Sequence, residues 1–359
     1  TALYVERDAD NQLRRAITAE VKSVYVAGGP RTGKSSLIQR VPDIARSIGR
    51  PCIQAKVQDS FPNSIWPKER LSKEQVWKAV GTALSEGSED FHNLKGGSFS
   101  FDSRFGNALH SHLARRPGTI RTLEDFNELS TRAENIEDVG ALLYNLFSPS
   151  RRNDDNVIIV ADDGLAGSIP RVSDHVTRST VIQISQLDRV CIGDLIHKTL
   201  QGTHSDALLA NKENVVEQLI SAFGSCVFLY HVALHKIRQI SEDNRSNYTG
   251  ESALDEIITN ILKFLTDQKK NSNSIINDVD REVEKFAEEC LQRINLAAKQ
   301  YLVFEGGPQA LMGELVSGEL GSAAKGHYGL PRFLDWSGFA PMGAEIPSYV
   351  RHLCQRELA

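Results

Sequence analysis

The sequence predicts an α/β fold, a parallel sheet flanked by helices with a helical region behind it, on three observations. Val24-Tyr25-Val26-Ala27 is a β-branched and aromatic run that leads straight into a glycine loop. Val157-Ile158-Ile159-Val160-Ala161 is a continuous apolar run between turns, the pattern of a strand buried on both faces. Beyond residue 187 the periodicity turns helical and stays so for most of the remaining chain.

In chain order, Leu13, Ala16 and Ile17 place an amphipathic helix over 9–17. After the first strand and its loop, Leu37, Ile38 and Val41 predict a helix from 35 to about 48, stopped by Gly49-Arg50-Pro51. Residues 52–57 resume as a strand and complete a β-α-β unit. Val76, Trp77, Val80 and Leu84 space a helix over 72–84. From 85 to about 117 Gly, Ser, His and Asn accumulate and periodicity fades, which predicts an insertion or long loop at the domain edge.

Helices are expected over 123–129 and 135–147, and a further strand over 179–185. Helical patterns follow over 190–200, 214–222, 227–240, 253–265 and 278–302. The last part reads as a helix over 309–320, a hairpin near Phe333 to Phe339 and a closing helix from Pro347, which is winged-helix order. The expected domains are an α/β core over 1–187, a helical domain over 188–275 and a winged-helix-like domain over 276–359.

The 359 residues, 40% apolar and 24% charged, have the makeup of a soluble protein of two or three domains. A net charge of −5 and a pI near 6.1 give no general pull toward nucleic acid, although a local basic face stays open. Five scattered cysteines without C-x-x-C pairing read as thiols of a reducing, cytoplasmic compartment, not as a disulfide frame or zinc site. No apolar run reaches transmembrane length, no signal-peptide pattern is read at the start, and no membrane partner is expected.

The chemistry begins at Gly28-Gly29-Pro30-Arg31-Thr32-Gly33-Lys34-Ser35, which fits G-x-x-x-x-G-K-[ST] between a strand and a helix. In that context glycines let the backbone curl so that successive N–H groups point at a phosphate, and the following helix, with Ser36, adds its positive end. Lys34 is expected to reach the β- and γ-phosphates, and the Ser35 hydroxyl to ligate Mg²⁺. The bland alternative is a glycine turn with a solvated lysine.

Asp162 and Asp163 close the apolar strand at its carboxyl end, where open α/β sheets bind ligands. Asp162 fits the metal anchor and Asp163 the residue that polarises the attacking water. Glu is more usual in the second place, so the shorter Asp163 predicts slow, water-bridged or absent hydrolysis; the competing reading makes Asp163, and with less weight Asp162, a helix N-cap or an Asx turn opening the Gly164 loop. Ser185 and Gln183 end the next strand, where a polar side chain can sense a γ-phosphate or merely form a turn. Arg171, Arg178 and Arg189 are candidates to reach a neighbouring subunit's γ-phosphate in a homo-oligomer, or are ordinary surface arginines; Arg189 is carried forward as the catalytic candidate.

Two look-alikes are set aside. Asn211-Lys212-Glu213-Asn214 resembles the guanine-reading N-K-x-D box but ends in Asn where a carboxylate is required, so ATP is expected and GTP is not. Gly306-Gly307-Pro308 echoes the loop without Gly-Lys-Ser behind it and is a turn before a helix. The histidines show no metal-ligand spacing.

Together these residues resemble the AAA+/STAND superclass of P-loop ATPases, near the AAA-like and NACHT-type domains and the origin-recognition ATPases. The stretch from Tyr4-Val5-Glu6-Arg7 to Leu13 is similar to the box that precedes their first strand, with Asp10 near where Glu is usual. The resemblance implies that Tyr4, Val5 and Arg7 meet the adenine. Residues 28–37 and 157–163 match their phosphate loop and acidic strand, and 223–230 resembles their helical lid without its proline. Residues 311–320 with 347–353 look like the winged helix that ends such proteins, whereas 85–117 matches nothing in them.

Three functions follow. The first is an ATP-hydrolysing switch whose nucleotide state controls conformation and self-association. The second is a DNA-loading ATPase, supported by Lys325, Arg332, Arg351 and Arg356 and opposed by the acidic residues interspersed with them. The third is a subunit of a larger assembly that binds nucleotide structurally, without turnover.

Overall fold

The computed structural model describes residues 5–19, 21–94, 101–147, 155–170, 172, 176, 179–184, 188–201, 206–224, 226–243, 251–266, 278–302, 306–321, 327, 329–342 and 344–359. Two compact units emerge: Asp8–Gly28 with Lys34–Gln183, and Thr1–Arg7 with Gly29–Gly33 and Ile184–Ala359.

The first unit is a five-stranded parallel sheet flanked by helices. Its strands are β1 (Ser23–Ala27), β2 (Cys52–Lys56), β3 (Ile120–Glu124), β4 (Val157–Asp162) and β5 (Thr180–Gln183), in spatial order β2-β3-β4-β1-β5. Its helices are α1 (Asp8–Thr18), α2 (Lys34–Ile38), α3 (Val41–Ser47), α4 (Lys73–Leu84), α5 (Glu89–His92), α6 (Phe101–Ala114), α7 (Phe126–Arg132) and α8 (Ile136–Phe147). β1 and β4 are buried along their whole length, as their mostly apolar runs require in a sheet covered on both faces, and the burial includes Ser23 and Asp162 at their ends.

The strand order has one consequence for the site. The chain leaves β1 toward the β2 edge but leaves β4 toward β5, in opposite directions along the sheet. Right-handed crossovers in opposite directions lie on opposite faces, so a crevice opens at the carboxyl ends of β1 and β4.

Four sequence expectations are corrected in this description. The helix expected from 35 to about 48 is two helices, broken before Val41, with Pro42 in the first turn of the second. The loop expected over 85–117 contains α6, whose Phe101, Phe105, Leu109 and Leu113 recur every fourth residue and are all buried. Its stripe packs on α4 through Phe105, 5.1 Å from the Trp77 ring. The helix expected from Leu123 begins only at Phe126, because 120–124 is a central strand, β3. Arg121 and Thr122 interrupt its apolar pattern yet are fully buried; the Arg121 guanidinium donates to Asn156 Oδ1 at 2.5 Å and to the Leu84 carbonyl at 3.3 Å.

The second unit is helical: α9 (Arg189–Leu200), α10 (Asp206–Ala210), α11 (Lys212–Phe223), α12 (Val227–Asp243), α13 (Glu251–Thr266), α14 (Asp278–Tyr301), α15 (Gly307–Ser317), α16 (Gly329–Ser337) and α17 (Ser348–Leu358). α17 packs against α15 and α13, burying Tyr349, Val350, Leu353 and Cys354. The hairpin expected near Phe333 to Phe339 is the helix α16, in which Leu330, Phe333 and Leu334 share one buried face at i, i+3, i+4. The five cysteines are free thiols, and among the described residues no helix is long and apolar enough to cross a membrane.

Candidate functional site

The two ends of the glycine loop, Gly28 and Lys34, belong to the sheet unit, and its middle, Gly29–Gly33, to the helical unit.

In the sheet unit, β1 and β4 run side by side in parallel, with Ala27 level with Asp162. The Gly28 N–H extends this ladder by donating to the Asp162 carbonyl at 3.2 Å. The mouth of the loop therefore opens directly beside the acidic pair. Lys34, the first residue of α2, is only 8% exposed, and its ammonium donates to the Gly28 carbonyl at 2.6 Å. A buried ammonium costs free energy unless an oxygen faces it. The loop supplies its own, where a phosphate oxygen would serve as well.

Asp162 is completely buried. Its Oδ2 accepts from the Tyr25 hydroxyl and from the Gly164 N–H, at 3.1 Å for the latter, whereas Oδ1 has no hydrogen-bond partner among the described residues. Burial first, then the neighbouring Asp163 charge, push its pKa up to about 7, against the lowering effect of the Tyr25 hydrogen bond. Burial and the same carboxylate also raise the Tyr25 pKa well above its ordinary value. An interior carboxylate with one oxygen unsatisfied has the character of a cation ligand, so the residues present fit a hard divalent ion. Asp163 is also buried, and its Oδ1 accepts from the Leu165 N–H at 3.0 Å. Both aspartates thus cap the turn that follows β4, the Asx geometry weighed above against a catalytic role for Asp163.

In the helical unit, Arg31 (φ 54°) and Gly33 (φ 94°) are both left-handed, which curls the loop. The Thr32 hydroxyl ties back to the Gly29 carbonyl at 2.9 Å. Arg7 is buried and donates to the Thr32 carbonyl at 2.9 Å and to the Gly33 carbonyl at 3.2 Å. The Arg31 guanidinium reaches α14, donating to Glu282 at 2.7 Å and to both oxygens of Glu289 at 3.4 Å. It also lies 4.7 Å over the Phe228 ring. Burial lowers the Arg31 pKa, but the hydrogen bonds to Glu289 and Glu282 outweigh it and the net shift is upward. Gly29 lies against the end of α16, where a Cβ would come within 2.3 Å of the Ser337 carbonyl oxygen.

Of the other residues singled out in the sequence, Ser35 and Ser36 are exposed, and Pro30 and Val5 are half-buried. Gln183 ends β5 level with Ala27, next to the loop's entry. Arg189 opens α9 on the surface, 74% exposed, and pairs with Glu217. Tyr4, Ser185, Arg171, Arg178 and Lys325 lie outside the described residues. Asn211 to Asn214 cap and begin α11 in the helical unit.

Sequence reasoning missed Tyr25, Glu282, Glu289, Phe228 and Ser337. Tyr25 carried a faint signal, as a phenol hydroxyl in the middle of a mostly apolar strand. The others are brought to the loop only by tertiary folding.

No protein-family model matches the chain, and no curated protein matches its sequence. Among solved structures it is similar to the Walker-type ATPase PABY2304 of Pyrococcus abyssi, at 11% identity and a TM-score of 0.46 over 97% of this chain and 95% of the other. It is similar to a chain of the HORMA:CdnC:Trip13 complex of E. coli MS115-1, at 12% identity and a TM-score of 0.44 over 72% and 89%. It is also similar to the Aeropyrum pernix ORC1 protein in complex with DNA, at 12% identity and a TM-score of 0.43 over 88% and 83%. Likeness at this level carries no activity from those proteins to this chain.

Proposed function

We propose that the chain is a magnesium-dependent, ATP-binding P-loop ATPase of the AAA+/STAND kind that acts as a nucleotide-controlled switch. The observation that carries the nucleotide reading lies within the sheet unit: a buried lysine and a buried, half-satisfied aspartate flank the mouth of a glycine loop at the carboxyl ends of adjacent strands. In this reading the amides of Gly28 to Ser35 hold the triphosphate, and Lys34 exchanges its carbonyl partner for phosphate oxygens. Ser35 and Asp162 would hold Mg²⁺, which neutralises phosphate charge when bound. Asp163 is the candidate to orient water, but its bond to the Leu165 amide supports a turn role more directly.

The switch is supported by Arg31. It sits in the middle of the loop and is tied to α14, so a loop that reshapes around a triphosphate must strain or release a helix of the helical unit. A ligand shifts such an equilibrium only by its differential affinity for the two states, and this tether supplies a difference. The DNA-loading alternative loses support. The segment expected to form a wing is helical, Arg356 is bidentate on Glu284 at 2.6 and 3.1 Å, Arg351 donates to the Ile346 carbonyl, and Arg332 stacks over Trp336. Mass photometry of the purified chain with and without Mg-ATP tests the switch: a nucleotide-dependent change of mass supports it, and an unchanged distribution opposes it.

A further inference from the structure

Arg7 departs from the role its neighbourhood in sequence implies. The resemblance would place it at the adenine, yet two guanidinium nitrogens are engaged on consecutive backbone carbonyls of the loop, Thr32 and Gly33. The side chain is 7% exposed and belongs, like Thr32 and Gly33, to the helical unit. A planar guanidinium presents parallel N–H groups that match two adjacent carbonyls; a lysine ammonium does not.

The consequence follows from peptide geometry. In a planar trans peptide the C=O and the N–H point in opposite directions. Drawing the Thr32 and Gly33 carbonyls onto Arg7 therefore turns the N–H groups of Gly33 and Lys34 the other way, away from the guanidinium. Those are amides that a phosphate-cradling loop needs on its concave side. Gly33 is matched to this contact twice over. Its φ of 94° favours glycine, and a Cβ there would come within 2.9 Å of Arg7 Nη2.

We infer that Arg7 is a positioning residue that orients the loop amides toward the phosphates and acts without regard to the base. This rests on the nucleotide reading above and deepens it, because it makes the polyphosphate the moiety that Arg7 serves. The guanidinium charge lies behind the loop and adds to its attraction for a polyanion without touching it.

The test compares Mg-ATP, Mg-GTP and magnesium tripolyphosphate, which has no base, by isothermal titration calorimetry on the wild-type chain, Arg7→Ala and Arg7→Lys. Amide NMR shifts of Gly33 and Lys34 on adding tripolyphosphate give a second readout. The expected result is that Arg7→Ala weakens ATP and tripolyphosphate by the same factor, about 10- to 100-fold for two charge-assisted hydrogen bonds. The ATP-to-GTP ratio stays constant, Arg7→Lys recovers little, and the ligand-induced amide shifts shrink in both variants. If Arg7→Ala does not fold, the Arg7→Lys comparison decides alone. A loss confined to ATP, with tripolyphosphate binding intact, would overturn the inference in favour of base reading. Unchanged affinities and amide shifts alongside a lower Tm would reduce Arg7 to a structural residue. A wild-type chain that binds neither ATP nor tripolyphosphate takes down the nucleotide reading as well, so the two failures are distinguishable.

Discussion

The Gly28 amide donates to the carbonyl of Asp162 across the β1–β4 pair at 3.2 Å. Residues 134 positions apart in the sequence thus become neighbours at the lip of one crevice, and the difference of 162 and 28 is bridged by strand order alone. The buried Lys34 ammonium closes the same mouth from the helix side through the Gly28 carbonyl.

Asp162 is held at a cost. A fully buried carboxylate with one oxygen unsatisfied, close to a second carboxylate, is an unfavourable arrangement in the free protein. Asp162→Asn keeps an acceptor for Tyr25 and Gly164 while removing the charge. Differential scanning calorimetry is expected to show Tm raised by a few degrees without ligand, for a gain of about 1–3 kcal/mol. The same variant is expected to lose the magnesium dependence of nucleotide binding. A lower Tm would contradict this account of the site.

Gly29 and Gly313 make a matched pair. A Cβ on Gly29 would meet the Ser337 carbonyl oxygen at 2.3 Å, whereas nothing lies within 4 Å of one on Gly313 in α15. Gly29→Ala should therefore destabilise by roughly 1–3 kcal/mol through forced backbone movement. Gly313→Ala should be neutral or stabilise by up to about 1 kcal/mol through helix propensity. Urea denaturation of both variants checks the contrast.

Much of the sheet unit was legible because parallel strands buried on both faces read as apolar runs, and β1 and β4 are such runs. β3 was not, because Arg121 and Thr122 interrupt its pattern; burial of Arg121 works only with Asn156 and the Leu84 carbonyl in place. α6 was masked by polar texture, although Phe101, Phe105, Leu109 and Leu113 hold strict i, i+4 spacing. In the candidate site, the motif residues were legible from spacing. The partners of Arg31 and Arg7 were not, since nothing local in Glu282, Glu289 or the Thr32 carbonyl announces them.

The Arg31 tether predicts a measurable coupling. Glu282 and Glu289 are partly exposed, so solvent screens each pair, and a double-mutant cycle of Arg31→Ala with Glu289→Gln should give about 0.5–1 kcal/mol in unfolding free energy. In the switch reading, Arg31→Ala also raises the assembled fraction seen by mass photometry without nucleotide. A cycle that closes to zero would remove the tether from the mechanism.

The helical unit carries its own pH signature. Burial lowers the pKa of His352, whose Nδ1 lies 2.6 Å from the Thr266 hydroxyl, and likewise that of His231. Each folded pKa lies below the unfolded value of about 6.5, so the unfolded chain binds more protons in that window. Their contribution is fully present above pH of about 6.5 and is lost as pH falls through the folded values. On acidification from about pH 7 to 5 the two histidines therefore destabilise the fold, against the opposite effect of Asp162, whose raised pKa favours the folded state as it protonates. The Tm of His352→Gln, which keeps a partner for Thr266, is expected to fall less or rise more over this range than that of the wild type. Equal slopes for the two proteins would contradict the assignment.

The most direct measurement is calorimetric titration of Mg-ATP into the wild-type chain and Lys34→Ala. The account predicts one site with a Kd on the order of micromolar in the wild type and binding weaker by roughly 10- to 100-fold in the variant, the worth of a charged hydrogen-bond donor. A wild-type chain with no measurable affinity for Mg-ATP, or a Lys34→Ala variant that binds as tightly, would contradict it.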